Sequence, residues 1–416
     1  MQRSRFGWLS ATFLVIANMI GTGIYTTTGF IVAELPAGWG VMILWLLGGV
    51  AALGGALAYA ELARRHPRSG GEYHFLGLLY HPFVGYLAGL VSLVAGFGAP
   101  IAASAYTFGA YLPLPLSEMQ RRLAALGVIA ALTAVHLLGL SRGARIQNVF
   151  VVFKIALLLA LIGGSLSQGK STEPFSWPAL SAPTLEKAAV SLIFISFAYS
   201  GWNAAAYIMS EVPEAARIVP RAIISGTLVV MALYVAFNWA LLSRVPLSEL
   251  AGQAAVGRLL ALRIWGPAGE QIFGWGISLA MLSSVSAMLM IAPRVVSVMG
   301  EDYPRLRYLA RRNRFGAPLP ALLLVGALAV FFLFSATFDM ILNYIGFTLS
   351  LSAGLTVAGL FWRYRREKQL PWGLGLTFLV LTAWIVGNNF WSRPLESLAG
   401  LLTVGAVGTT YLWLRR

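Results

Sequence analysis

Apolar residues run along this chain in long blocks separated by short polar stretches. Runs such as "VMILWLLGGVAALGGALAYA" and "VFVVFKIALLLALIGGSL" approach or exceed the ~20 residues a helix needs to cross a hydrocarbon core. Taken in order, the blocks predict about twelve spans. They are 8–33, 39–63, 80–111, 122–140, 146–166, 185–209, 219–242, 267–293, 318–335, 339–362, 370–390 and 395–414. The longest polar segments, Ser167–Glu186, Ser243–Glu270 and Arg294–Pro318, are too small to bury cores of their own. The whole chain, 1–416, therefore reads as one all-α polytopic membrane domain. "LAGQAAVGRLLALRIWG" predicts a short amphipathic helix lying on the outer surface, and "RRHPRSGGEYHFLGLLYHP" a turn followed by an interfacial helix. The first block holds Gly and Asn and lacks a small-residue cleavage pattern, unlike a cleaved leader.

Two spans break the helical pattern at their centres. Span 1 contains "IANMIGTGIY", Ile16–Tyr25, in which Gly21 and Gly23 each cost about 1 kcal/mol relative to Ala in a helix interior. Span 6, "SLIFISFAYSGWNAAAYIMSEV", has Ser200 and Gly201 near its middle and Asn203 close behind. The breaks stand at corresponding positions of two five-helix halves, 1–166 and 185–362, with 370–414 following as spans 11 and 12. Paired interruptions of this kind point to a transporter built from inverted repeats. An odd number of spans in each half gives the halves opposite orientations. An unbroken helix uses every backbone N–H and C=O internally, whereas a break frees donors on one half-helix and acceptors on the other. A half-helix N-terminus favours a carboxylate and freed carbonyls favour an ammonium, so two breaks together suit a zwitterion. Helix packing by small residues is the competing reading of Gly21 and Gly23, weakened by the second break at the matching place.

Composition supports the membrane class. The chain is 58% hydrophobic and 11% charged, with a mean hydropathy of +0.76, whereas a soluble globule carries roughly 25% charged residues. The net charge of +15 is a matter of topology rather than of nucleic-acid binding. Arg3, Arg5, Arg64, Arg65, Arg68, Arg142, Arg145, Arg217, Arg221, the cluster from Arg294 to Arg314, Arg363 to Lys368, Arg415 and Arg416 fall on the side of the N-terminus. Only Arg121, Arg122, Lys170, Lys187, Arg244, Arg258, Arg263 and Arg393 fall opposite, which places both termini in the cytoplasm. The absence of cysteine removes a disulfide-linked partner, a thiolate metal site and a catalytic thiol, and the four His have no metal-ligand spacing. The spans lack the carboxylate pairs or Ser–His sets of an enzyme and the filter repeats or charge rings of a channel. No cofactor, metal or catalytic residue is expected.

One cation remains inside a span. Lys154 lies deep in span 5, where a Lys costs about 2.5–3.5 kcal/mol on insertion scales, so it should face a polar interior; snorkelling to an interface is the lesser reading.

Several segments resemble the L-type amino-acid transporter branch of the amino acid–polyamine–organocation superfamily. They are "NMIGTGIY", "YAELARRHPRSGGEYHFL", "RIQNVFVVFKIALLLAL", and "FAYSGWN" followed by "SEVPEAARIVPRAI", and the likeness covers spans 1 to 10 in order. The resemblance implies a leucine-transporter-type fold of two inverted five-helix repeats plus two C-terminal helices, with a mid-membrane site. It implies that Ile20, Gly21, Thr22 and Gly23 receive the substrate carboxylate, and that the carbonyls of Phe197, Ala198, Tyr199 and Ser200 receive its amino group. Phe197 would close over the substrate as a gate, while Trp202 and Asn203 would shape the side-chain pocket. Many relatives have Gly where this chain has Ser200, so the extra hydroxymethyl implies a smaller or more polar pocket. Lys154 matches the place of a sodium ion in sodium-coupled relatives. Its expected partners are carbonyls near Gly21 and a span 8 hydroxyl among Ser283, Ser284 and Ser286, Ser283 foremost. A fixed cation implies sodium-independent transport, either exchange, which the branch favours, or proton coupling through Lys154.

No acidic residue stands at either break, which favours a small neutral amino acid over a polyamine. Animal members of the branch bond to a glycoprotein through a Cys after span 3. "LPLPLSEMQRR" has none, implying a stand-alone bacterial transporter in the cytoplasmic membrane. Glu61, Glu72, Glu211 and Glu214, with Arg65, Arg68, Arg217 and Arg221, read as an inner-gate ion-pair network or simple surface pairing. Asn18 reads as helix-packing glue or as a cap on the break, and His136 and Asn343 as interhelical hydrogen-bonding residues. Met288 and Met290 read as core fillers.

Overall fold

A computed structural model describes residues 7–138, 144–168, 175–179 and 181–415. Arg3, Arg5, Arg142, Lys170 and Arg416, which contribute to the expected charge asymmetry, lie outside the described residues.

The described chain is almost entirely helical. In order it forms α1 (Trp8–Met19), α2 (Thr22–Glu34), α3 (Gly38–Arg65), α4 (Glu72–Leu79), α5 (Pro82–Val91), α6 (Ala99–Tyr111), α7 (Glu118–Leu137), α8 (Ala144–Ser167) and α9 (Ala182–Tyr199). It continues with α10 (Ala215–Leu242), α11 (Leu247–Leu250), α12 (Val256–Asp302), α13 (Leu319–Ser335), α14 (Phe338–Arg363), α15 (Trp372–Ser392) and α16 (Pro394–Arg415). Wider π-turns at Ser92–Gly98 join α5 to α6, and a tight 3-10 segment, Trp202–Glu211, continues α9. Among the described residues, 9 helical stretches are long and apolar enough to cross a membrane. α7, α13 and α16 occupy the places of the remaining expected spans.

Local chemistry sets several boundaries. α7 starts four residues before the predicted span because Ser117 and Gln120 form a capping box. α9 is capped by Ser181, whose hydroxyl accepts from the Thr184 N–H. The amphipathic stretch after α11 is helical, and Gly266 (φ +68) separates it from the long span that follows. That hinge takes a positive φ that glycine alone adopts without strain.

After α3, α4 follows the turn as expected, with Phe75, Leu76 and Leu79 buried on one face together with Glu72 at its first turn, and Leu78 exposed on the other. Its apolar positions find neighbours in α5 and α14.

At the centre, α1 packs on α8, α10 and α12, and α2 packs on α9. This brings the two interrupted spans into direct contact.

Candidate substrate site

The backbone itself builds the site. α1 stops at Met19, Ile20 is extended, and Gly21 (φ −139, ψ −145) precedes the start of α2 at Thr22. α9 stops at Tyr199, Ser200 is extended, and Gly201 takes φ +101 before the 3-10 segment. A Cβ on Gly201 would lie 2.9 Å from the Asn18 backbone, and one on Gly23 would lie 2.4 Å from the Ala198 Cα. These two glycines let the breaks touch. Gly21 differs, since a Cβ there would meet only the Ser284 Oγ, at 3.5 Å. Of the two glycines of "GTG", Gly23 is required by packing and Gly21 is left with room beside it.

Each break exposes charge-like ends. The first N–H groups of α2 have no side-chain cap, which leaves the positive end of that helix turned into the gap. The last carbonyls of α9 form the opposing negative end, apart from Phe197 O, which accepts from the Ser200 N–H at 3.0 Å.

The negative end of α1 is already taken. Lys154, fully buried on α8, donates to Ala17 O at 3.2 Å, Ile20 O at 2.9 Å and Ser284 Oγ at 2.7 Å. The Tyr234 hydroxyl on α10 donates to Met19 O at 2.5 Å. The ammonium thus ties α8 to α1 and α12, as its depth predicts. The partner hydroxyl is Ser284 and not Ser283, which corrects the expectation. One residue along a helix turns a side chain by about 100°, so adjacent serines cannot both reach the same ammonium. The Ser283 hydroxyl is buried without a hydrogen bond among the described residues.

Between the breaks lies a cavity of about 70 Å³. Gly21, Thr22, Gly23, Phe197, Ala198, Ser200 and Asn203 line it, as the sequence motifs imply. Three expected residues do not. Ile20 turns its carbonyl to Lys154. Tyr199 points away to donate to Trp45 O at 3.2 Å. Trp202 packs edge-on against Tyr59, with ring centroids 4.6 Å apart, and fills the space over Gly55. Consecutive residues on one turn necessarily face different neighbours, so a contiguous motif cannot line one cavity throughout.

The cavity also recruits Asn18, Ser104, Tyr207 and Met288, from four different segments. Thr22 Oγ1 donates to Ser104 Oγ at 3.3 Å. Met288 is on the cavity wall rather than being core filler alone. The Asn18 amide donates to Leu14 O of its own helix at 2.8 Å, and Asn18 packs against Gly201 of the second break, in keeping with the helix-packing reading. His136 shares a hydrogen bond with Ser286 at 3.1 Å, and Asn343 accepts from Asn389 at 3.3 Å, both across helices. Of the residues that motif reading passed over, Tyr234 had no local signal, whereas Ser104 could be suspected as a hydroxyl within an apolar span.

The ionic groups form pairs at the end of the bundle that carries the N-terminus. Glu61 binds Arg64 and Arg65, Arg65 also binds Glu367 at 2.5 Å, and Arg68 binds Asp302 at 2.7 Å. Glu211 binds Arg294, and Glu214 meets Arg217 at 3.5 Å. Among the described residues, neither Glu72 nor Arg221 has an ion-pair partner, so the expected network is corrected at both. Glu72 instead accepts from the Tyr59 hydroxyl at 2.8 Å, from Asn203 Nδ2 at 2.5 Å and from the Tyr207 hydroxyl.

Comparison with known proteins agrees with this architecture. The model of a family described as amino acid permease matches residues 6–408. The human b(0,+)-type amino acid transporter 1 is 27% identical over 410 residues, spanning 94% of this chain and 84% of that protein. The large neutral amino acids transporter small subunit 2 of Rattus norvegicus is 26% identical over 426 residues, spanning 96% and 78%. The human Asc-type amino acid transporter 1 is 26% identical over 428 residues, spanning 97% and 80%. Among solved structures, MhsT in complex with L-phenylalanine is similar, with a TM-score of 0.57 and 17% identity, covering 97% of this chain and 100% of that one. That likeness shows the leucine-transporter-type fold. With the family match running across both broken spans and the buried lysine, the chain is a transporter and not an enzyme, and it belongs to the amino acid permease family of the amino acid–polyamine–organocation superfamily.

Proposed function

We propose that this chain exchanges small neutral L-amino acids across the cytoplasmic membrane by sodium-independent alternating access. The observation that carries the reading is Lys154. Its ammonium sits between α1, α8 and α12 and is bound by two carbonyls and one hydroxyl. A positive charge built into the chain supplies at that point what a bound cation would otherwise supply.

The substrate follows from the ends of the helices. The carboxylate is held by Thr22 and the uncapped N–H groups that open α2, and the ammonium by the carbonyls that end α9. Phe197, on the cavity wall, closes the site as its gate. Neutral side chains are favoured because no Asp, Glu, Lys or Arg lines the cavity. The rat relative, a large neutral amino acids transporter subunit, supports neutral substrates; Ser200 and the 70 Å³ cavity support small ones. In line with the inverted-repeat pattern, 1–166 and 185–362 rock against each other around the breaks, with 370–414 outside that motion. The basic residues beside Arg64, Arg294 and Arg363 support cytoplasmic termini. The absence of cysteine supports a transporter without a disulfide-linked subunit.

Proteoliposomes test the reading. Uptake of labelled L-alanine should be equal in sodium and choline media and should rise when the vesicles are preloaded with unlabelled substrate. Net uptake into empty vesicles driven by an inward proton gradient would replace exchange by proton symport. That second reading is kept by the lack of any carboxylate paired to Lys154 among the described residues.

A further inference from the structure

Glu72 is a carboxylate only 4% exposed, and only donors meet it: the Tyr59 hydroxyl, the Tyr207 hydroxyl and Asn203 Nδ2. The backbone before it is shaped for this approach. Gly70 and Gly71 take φ of +123 and +55, and a Cβ on Gly71 would lie 2.4 Å from the Tyr207 ring. Ser69 fastens the same loop to the 3-10 segment by accepting from the Ser210 N–H at 2.8 Å. The nearest cation of this loop, Arg68, is paired to Asp302 at 2.7 Å rather than to Glu72.

A carboxylate accepts hydrogen bonds and cannot donate them, so chemistry decides which way the Asn203 amide faces. Its NH2 group must face Glu72, at 2.5 Å. Asn203 lines the cavity, is only half-buried, and has no protein donor on its Oδ1 among the described residues. We infer that Glu72 is a positioning residue for substrate selectivity: by holding the Asn203 amide, it presents Asn203 Oδ1 to the cavity as an acceptor for hydrogen-bond donors on neutral substrate side chains. An isosteric methyl group at that place leaves Oδ1 desolvated and unpaired, and that penalty is the basis of discrimination. The inference rests on the neutral amino-acid reading above.

The test uses the full-length protein in proteoliposomes, with L-threonine and its isostere L-valine competing against exchange of labelled L-alanine. In the unmodified chain, threonine should compete better by roughly three- to tenfold, the worth of one net hydrogen bond. Glu72→Gln can offer either a carbonyl or an NH2 to Asn203, so it should bring the ratio close to one while alanine exchange persists. Asn203→Ala should collapse the ratio with Glu72 intact. Tyr59→Phe removes a donor to Glu72 that lies outside the cavity and should leave the ratio unchanged. A Glu72→Gln protein with slower exchange and an unaltered ratio would show a purely structural role and overturn the proposal. An unaltered ratio in Asn203→Ala would overturn it even where Glu72→Gln fails to fold, as would a ratio of one in the unmodified chain. Absence of exchange with every neutral amino acid would instead sink the transport reading itself.

Discussion

The Lys154 ammonium donates to the carbonyl of Ile20 at 2.9 Å, at the residue where the first span stops being a helix. A helix C-terminus leaves its last carbonyls without partners, and inside a membrane no water is there to serve them. Lys154 serves Ala17 and Ile20, and Tyr234 serves Met19. The positive charge also complements the negative end of the α1 dipole. The break is therefore stable without losing its polarity.

Replacing Lys154 by Ala should abolish most of this support. Each carbonyl left buried and unpaired costs about 1–3 kcal/mol. Uptake of labelled L-alanine should fall by at least about tenfold, with a lower apparent Tm of the purified protein, while membrane expression persists. Wild-type uptake in Lys154→Ala would remove Lys154 from the mechanism.

The two glycines of the first break should respond differently. Gly23→Leu drives a side chain into the Ala198 backbone, which a Cβ alone would meet at 2.4 Å. It should abolish transport while leaving insertion intact, as read by membrane-fraction expression beside proteoliposome uptake. Gly21→Ala adds a methyl in ordinary contact with Ser284 Oγ and should keep measurable activity.

Ser200→Gly should widen specificity. The hydroxymethyl group lost there faces a cavity of only about 70 Å³. L-Phenylalanine should then compete with labelled alanine at a concentration lower by about threefold or more, with alanine's own KM little changed. No gain for bulky substrates would assign the size limit to other walls.

The Arg294–Glu211 pair, each side chain about one-quarter exposed, should stabilise closure at the N-terminal end of the bundle. Because the chain has no natural cysteine, Ser69→Cys offers a single labelling site on a buried loop held to Ser210. Adding Arg294→Ala should speed maleimide labelling of that cysteine by roughly two- to fivefold, the range expected for a partly exposed pair.

Much of this architecture was legible in one dimension. The lengths of the apolar blocks mark the spans, because crossing a bilayer imposes a minimum length on a helix. The breaks at Gly21–Gly23 and Ser200–Gly201 stand out because flexible, polar residues interrupt otherwise apolar helices. The depth of Lys154 shows in its position within span 5, since distance along a helix converts directly into distance across the membrane.

Partner choice was not legible, and the tertiary structure decided it. Lys154 meets Ser284 across 130 positions and Glu72 meets Asn203 across 131, separations at which no local pattern ranks one hydroxyl or amide above its neighbour. Glu72 looked like a surface gate residue because it lies in a loop beside Arg68, yet α4 folds inward and gives it three uncharged donors. Tyr199 and Trp202 belong to the same motif as Ser200 and Asn203 but face other helices. A helical pattern specifies which residues share a face; which atom meets which is settled only when the faces of several helices pack together.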